Sequence, residues 1–215
     1  MAAIRILGID PGTQVVGFGC LDLFFESGAA NAGAAPLAMR ASNVVRAGSG
    51  ADRLRPVECG VLRLGGRNDE VAHRLRELAD QFRELIARLA PHELALEEAF
   101  HGKSAQSALR IGEARGVVLA EAARAELEIH QYAPARIKRC VTGRGDASKE
   151  VVADMVARQL GPAGIQAIAG MPRDASDALA AALTRVEERR SPLLQAAKNP
   201  LLALGLGELT ARRRS

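Results

Sequence analysis

The chain has 215 residues, 48% hydrophobic and 25% charged, with a formal net charge of +4. That is the balance of a globular domain with a core of its own. Three scattered cysteines without a C-x-x-C pair exclude a disulfide framework and a cysteine zinc site, and no run of 18 apolar residues offers a membrane span. With no charged and apolar leader at the start, the expected location is the cytoplasm.

In chain order, Ile4, Ile6, Leu7 and Ile9 make a short buried strand, broken by the turn residues Asp10-Pro11-Gly12-Thr13. Val15, Val16, Phe18, Cys20 and Leu21 predict a second strand, paired with the first as a hairpin. Residues 27–52 change character: 13 of these 26 are Ala or Gly, which predicts a loop insertion. A third strand follows over 57–64. From Asp69 the period turns helical, with Val71, Leu75, Leu78, Phe82, Leu85 and Leu89 at steps of three and four, until Pro91 and His92. Leu94, Ala95 and Leu96 form a short buried strand ending in Glu97 and Glu98. A helix is predicted over 104–127, in which Gly112 and Gly116 allow close packing against the sheet. A strand over 128–132, a short basic helix over 134–141 opened by Pro134, a helix over 148–160 and a last helix from about Asp174 to Arg189 complete the order. The order β-β-β-α-β-α-β-α-α-α predicts an α/β fold with a mixed five-stranded sheet. The domain is expected over 1–190, followed by a basic, partly disordered tail over 191–215.

Charge is unevenly placed. Residues 1–134 hold 15 Lys/Arg against 17 Asp/Glu, and residues 135–215 hold 14 against 8. The densest stretch, Arg136 to Lys149, carries five basic residues and one acid, so Arg136, Lys138, Arg139 and Lys149 are candidates for phosphate contacts, with a solvated charged surface as the plain alternative. The loop from Gly143 to Lys149 lacks the spacing of a P-loop. Its amides and Lys149 suit a nucleic-acid phosphate, or Ser148 simply caps a helix after a glycine turn. His73, His92, His101 and His130 have no metal-like pairing.

Four carboxylates sit where they help folding least. Asp10 and Glu97 end apolar strands. Asp174 and Asp177, three apart at a helix start, project from one face. Taken singly, Asp10 could stabilise its turn and Asp174 could cap its helix. If the two strands are neighbours and the helix packs across them, the four converge. Clustered carboxylates repel unless a cation neutralises them, and hard divalent ions such as Mg²⁺ take oxygen ligands. A pair of such ions suits phosphodiester hydrolysis. Phe100, just past the Glu97 strand, is either core or a wedge that unstacks bases.

At these residues the sequence resembles the RuvC family of bacterial Holliday-junction resolvases. The matching stretches are ILGIDPGTQVVGFG at 6–19, LALEEAFHGKSAQSALRIGEARG at 94–116, APARIKRCVTGRGDASKEVV at 133–152 and DASDALAAALT at 174–184, in family order. The resemblance implies an RNase H-like fold, with helices on both faces of the sheet. It implies that Asp10, Glu97, Asp174 and Asp177 are the catalytic, metal-binding acids, for Mg²⁺ with Mn²⁺ as a substitute. Phe100 is then the aromatic at the junction's base step, and Lys138 and Lys149 hold DNA phosphates. Further implications are a homodimer, two symmetric nicks in a four-way junction leaving 5′-phosphates, and RuvA and RuvB as branch-migration partners. Two other readings stand beside it: a non-catalytic branched-DNA binding protein of the same fold, and an ATP-using protein of the actin-like fold suggested by Asp10-Pro11-Gly12-Thr13. The latter would need a second phosphate loop, which the sequence lacks.

Overall fold

The computed structural model describes residues 2–25, 52–66, 69–98 and 105–191. Phe100, His101, nearly all of the 27–52 segment and the tail past Ser191 lie outside the described residues. Five strands and five helices follow in the order expected. They are β1 (Ala2–Asp10), β2 (Val15–Phe25), β3 (Asp52–Arg63), α1 (Val71–Leu89), β4 (Glu93–Glu97), α2 (Ala105–Arg124), β5 (Glu128–Tyr132), α3 (Pro134–Thr142), α4 (Lys149–Ile168) and α5 (Arg173–Arg190).

The sheet order is β3-β2-β1-β4-β5. β1 pairs antiparallel with β2, with Asp10 opposite Gly17, and parallel with β4, with Ile9 opposite Leu96. β2–β3 is antiparallel and β4–β5 parallel, so the sheet is mixed. Consecutive residues of a strand point to opposite faces, and β1 uses both. Ile6 joins a core with Leu21, Leu23, Tyr132 and apolar residues of α3, α4 and α5, whereas Leu7 and Ile9 join Phe18, Leu62, Phe82 of α1 and Val118 of α2. Helices therefore cover both faces, which is why β1 and β4 read as continuous apolar runs. Among the described residues no helix is long and apolar enough to cross a membrane.

Three expectations change. β2 and β3 extend further than the apolar runs, to Phe25 and back to Asp52, because a long antiparallel ladder carries polar residues such as Arg53 and Arg55 on its open end. The helix expected to stop at 160 continues to Ile168 across a break at Gly161 (φ 67°, ψ −160°) followed by Pro162. Gly112 and Gly116 do not mediate close packing: both are exposed, and a Cβ at either would meet nothing within 4 Å. The close approach lies instead at the strand glycines. A Cβ on Gly8 would stand 2.0 Å from the Ala178 carbonyl oxygen, and one on Gly17 2.0 Å from that of Asp174. α5 lies directly on the backbones of β1 and β2, which only residues without a side chain permit.

Candidate active site

Because β1 and β4 are adjacent and parallel, their C-terminal ends share one edge of the sheet. Asp10 and Glu97 are the last residues of those strands. α5 begins beside them. Its first turn holds Asp174, whose Cβ would lie 3.0 Å from a Cβ on Gly17, the residue paired with Asp10. Asp177, one turn on, is buried and accepts a hydrogen bond from the Lys149 ammonium, Nζ to Oδ2 2.5 Å. Pro172, not Asp174, occupies the cap position of α5, so the cap reading of Asp174 does not hold.

The electrostatics record the crowding. Burial, then the charges of Glu97, Asp177 and Asp174, push the Asp10 carboxyl well above the usual range against the pull of Lys149. Burial and Asp177 push Glu97 up to about 7, with Lys149 and Lys138 opposing. For Lys149, burial works downward, but the hydrogen bond to Asp177 and the charges of Asp177, Asp10 and Glu97 prevail and its pKa rises. Two carboxyls that resist ionisation, beside two that complete an all-oxygen donor set, fit a hard divalent cation, whose charge would relieve the repulsion.

The basic candidates divide into two groups. Lys149 opens α4 behind Ser148, whose side chain accepts from the Val151 amide, so the capping reading holds and the loop delivers Lys149 into the acid cluster. Lys138 lies on α3, close enough to act on Glu97, and Arg139 is exposed next to it. Arg136 points elsewhere: it donates to Glu188 at 2.8 Å and stacks over Tyr132 at 5.1 Å.

The sequence reading missed a second charged cluster, at the opposite end of β4. Glu93, Glu128 and His130 offer ligand atoms within 4.8 Å of one another, a grouping able to hold a metal ion. Its carboxylates are already engaged by guanidinium groups. Arg185 donates to Glu93 at 2.6 Å, to Glu188 at 3.0 Å and to Glu128 at 3.2 Å, and Arg189 also pairs with Glu93. Glu93 opens β4 ahead of the apolar run Leu94–Leu96 and is nonetheless buried, and an acid at that place is the one local hint of this cluster in the sequence.

A mixed sheet in the order 3-2-1-4-5, with acids at the ends of two adjacent strands and two more on the helix packed across them, defines an RNase H-like protein with an acidic cluster at its sheet edge. The comparisons with known proteins agree. The family model described as crossover junction endodeoxyribonuclease RuvC matches residues 33–185. A relative from Chromohalobacter salexigens with that same name is 37% identical over 190 residues, covering 88% of this chain and 84% of its own. Among solved structures, Thermus thermophilus RuvC in complex with Holliday junction substrate is 27% identical with a TM-score of 0.66, covering 87% of this chain and 95% of that one. The yeast mitochondrial Holliday junction resolvase, 13% identical with a TM-score of 0.53 over 85% and 78% of the chains, shares the fold. This chain belongs to the RuvC family of crossover junction endodeoxyribonucleases.

Proposed function

We propose that the chain resolves four-way DNA junctions by metal-dependent hydrolysis, with Asp10, Glu97, Asp174 and Asp177 as ligands for Mg²⁺ or, as a substitute, Mn²⁺. The observation that carries this reading is the convergence of the four acids at one sheet edge, with Asp10 and Glu97 reluctant to ionise until a cation joins them. When bound, a pair of such ions supplies the Lewis acidity that phosphodiester hydrolysis requires. The chain's own residues position that chemistry. Asp10 and Glu97 are held on rigid central strands, and Asp174 and Asp177 on a helix seated against glycine. Lys138, Lys149 and Arg139 attract backbone phosphates, which register the scissile strand over the acids. Arg136, engaged with Glu188 and Tyr132, adds to the local positive field. Phe100 is the wedge assigned to the junction's base step.

Branch selectivity follows from two copies that present two sites to opposed strands of a two-fold junction, each nick leaving a 5′-phosphate. The outer face of α2 supports pairing: Ala105, Leu109, Gly112, Gly116 and Ala120 form an exposed row without charge, and Leu109 is 62% exposed. The nuclease domain spans 1–190 with 27–52 as a loop insertion and 191–215 as a basic tail. RuvA and RuvB are the partners this reading assigns, in the cytoplasm.

The test is cleavage of a synthetic junction and a linear duplex of the same sequence in Mg²⁺. Symmetric nicks confined to the junction, lost in Asp10→Asn with junction binding retained, support the proposal. Tight junction binding without cutting, in both Mg²⁺ and Mn²⁺ and across several core sequences, would replace it with the branched-DNA binding reading.

A further inference from the structure

α5 carries two of the four acids, yet its first half is held largely by small residues. Ala175, Ala178, Ala180, Ala181 and Ala182 are fully buried, and Leu179 is the one large side chain among them, lying over Gly19 of β2. Opposite them the helix backbone rests on Gly8 and Gly17. Apart from Leu179, methyl groups against bare backbone make few knobs and holes, so this contact fixes how closely the helix approaches more than how far it slides or turns. A displacement of 1 Å at the acids would matter, since misplacing reacting groups by that much can lower a rate about 100-fold.

The second half of α5 is different. Arg185 is 8% exposed in its side chain and forks between Glu93 at 2.6 Å and Glu188 at 3.0 Å, with Glu128 at 3.2 Å. Glu188, itself buried, accepts from the Tyr132 hydroxyl at 2.6 Å and from Arg136 at 2.8 Å. Arg189 adds a second guanidinium to Glu93. β4, β5 and α3 therefore all grip the same two turns of α5. The charges are well matched: burial pushes the Glu93 carboxyl up, but Arg189 and Arg185 outweigh it and hold it below its ordinary range. Buried ion pairs contribute little net stability against a well-packed apolar replacement, and their best-attested use is to select one register among alternatives. A planar guanidinium meeting carboxylates on two elements tolerates little sliding or rotation.

We infer that the buried Arg185–Glu93–Glu188 network is a register pin, and that Arg185 is a positioning residue which sets Asp177 and Asp174 opposite Asp10 and Glu97 from eight and eleven residues away, about 12 and 17 Å along the helix. Glu93 is the anchor at the foot of β4, the strand whose far end carries Glu97, so one strand holds both an acid of the site and the pin for the other two. The inference rests on the four-acid reading above for its consequence, not for its geometry.

Three measurements on the full chain test it, using a triple variant, Glu93→Met with Arg185→Met and Glu188→Met, that replaces the charges with apolar volume. The first is the thermal midpoint. The second is hydrogen exchange of amides at 175–182 without metal or DNA. The third is Mn²⁺ affinity by calorimetry on DNA-free protein. The expected result is a midpoint within a few degrees of the parent, with exchange at 175–182 accelerated and Mn²⁺ bound at least 10-fold more weakly. A folded triple variant with parental exchange at 175–182 would overturn the pin. If the triple variant does not fold, Arg185→Lys decides, because it keeps the charge and loses the fork: parental exchange in that variant overturns the inference, and acceleration with an intact midpoint supports it. Accelerated exchange alongside a parent that binds no Mn²⁺ would leave the pin standing and strike the metal reading of the site instead.

Discussion

Gly17→Ala is the sharpest probe of how the site is built. Gly17 pairs with Asp10 across the hairpin and lies under the first turn of α5. An added Cβ would sit 2.0 Å from the Asp174 carbonyl oxygen and 2.4 Å from its carbonyl carbon. A carbon and a carbonyl oxygen settle at about 3.3 Å, so backbone must move by about 1.3 Å. The obstacle is a helix, not the tip of a flexible side chain, so the start of α5 must lift. Overpacking of this kind costs about 1–3 kcal/mol, and the lost freedom of the unfolded chain returns about 0.4–1 kcal/mol. The net loss is roughly 0–2.6 kcal/mol, a fall in midpoint of up to about 10 °C for a chain of this size. The rate should suffer far more, by about 100-fold, because Asp174 itself is displaced. The assay pairs thermal unfolding with single-turnover junction cleavage at saturating Mg²⁺. Gly60→Ala is the control: it is also on a strand, but its Cβ would meet only the Phe18 ring, at 3.1 Å, which can swing. Cleavage by Gly17→Ala within a few-fold of the parent would show that α5 does not bear on β2 as described, and the account of the site would fall with it.

The remaining predictions concern charge and assembly. Glu97 titrates at about 7 when folded against an ordinary 4.5, so the metal-free folded state binds the extra proton between those values. The contribution of Glu97 to stability is therefore greatest below about pH 4.5 and falls as the pH rises to about 7, by about 3 kcal/mol at 1.36 kcal/mol per unit. Urea unfolding in chelator at pH 5 and 8 should show Glu97→Gln gaining on the parent at the higher pH, and an equal gap at both would refute the titration. Lys149→Ala should weaken junction binding and lower the slope of log affinity against log salt by about 1, read by fluorescence anisotropy, and an unchanged slope would remove Lys149 from the phosphate contacts. Leu109→Glu places a charge in the uncharged row of α2. Sedimentation should show monomers that bind the junction yet no longer make paired nicks, whereas an unaltered dimer would move the interface elsewhere.

How much of this was legible without coordinates depends on distance along the chain. Each helix and strand announced itself because apolar spacing is local: Val71 to Leu89 can bury one stripe only as a helix, and Leu94 to Leu96 can be covered on both faces only within a sheet. Asp10 and Glu97 stood out because an acid at the end of an apolar strand helps nothing nearby, and the four matching stretches pointed to the family. The glycines misled. Gly112 and Gly116 looked like packing positions because they interrupt a helix, while the ones that matter, Gly8 and Gly17, are ordinary inside strands until a helix is laid over them. Nor does sequence distinguish Lys149, whose ammonium reaches Asp177, from Arg136, which turns to Glu188. Both belong to one basic stretch. Residue type and local period decided the elements and nominated the acids. The pairing of strands with a distant helix decided which acids meet and what grips α5, because Coulomb forces and steric contact act through space and are blind to the 92 positions that separate Glu93 from Arg185.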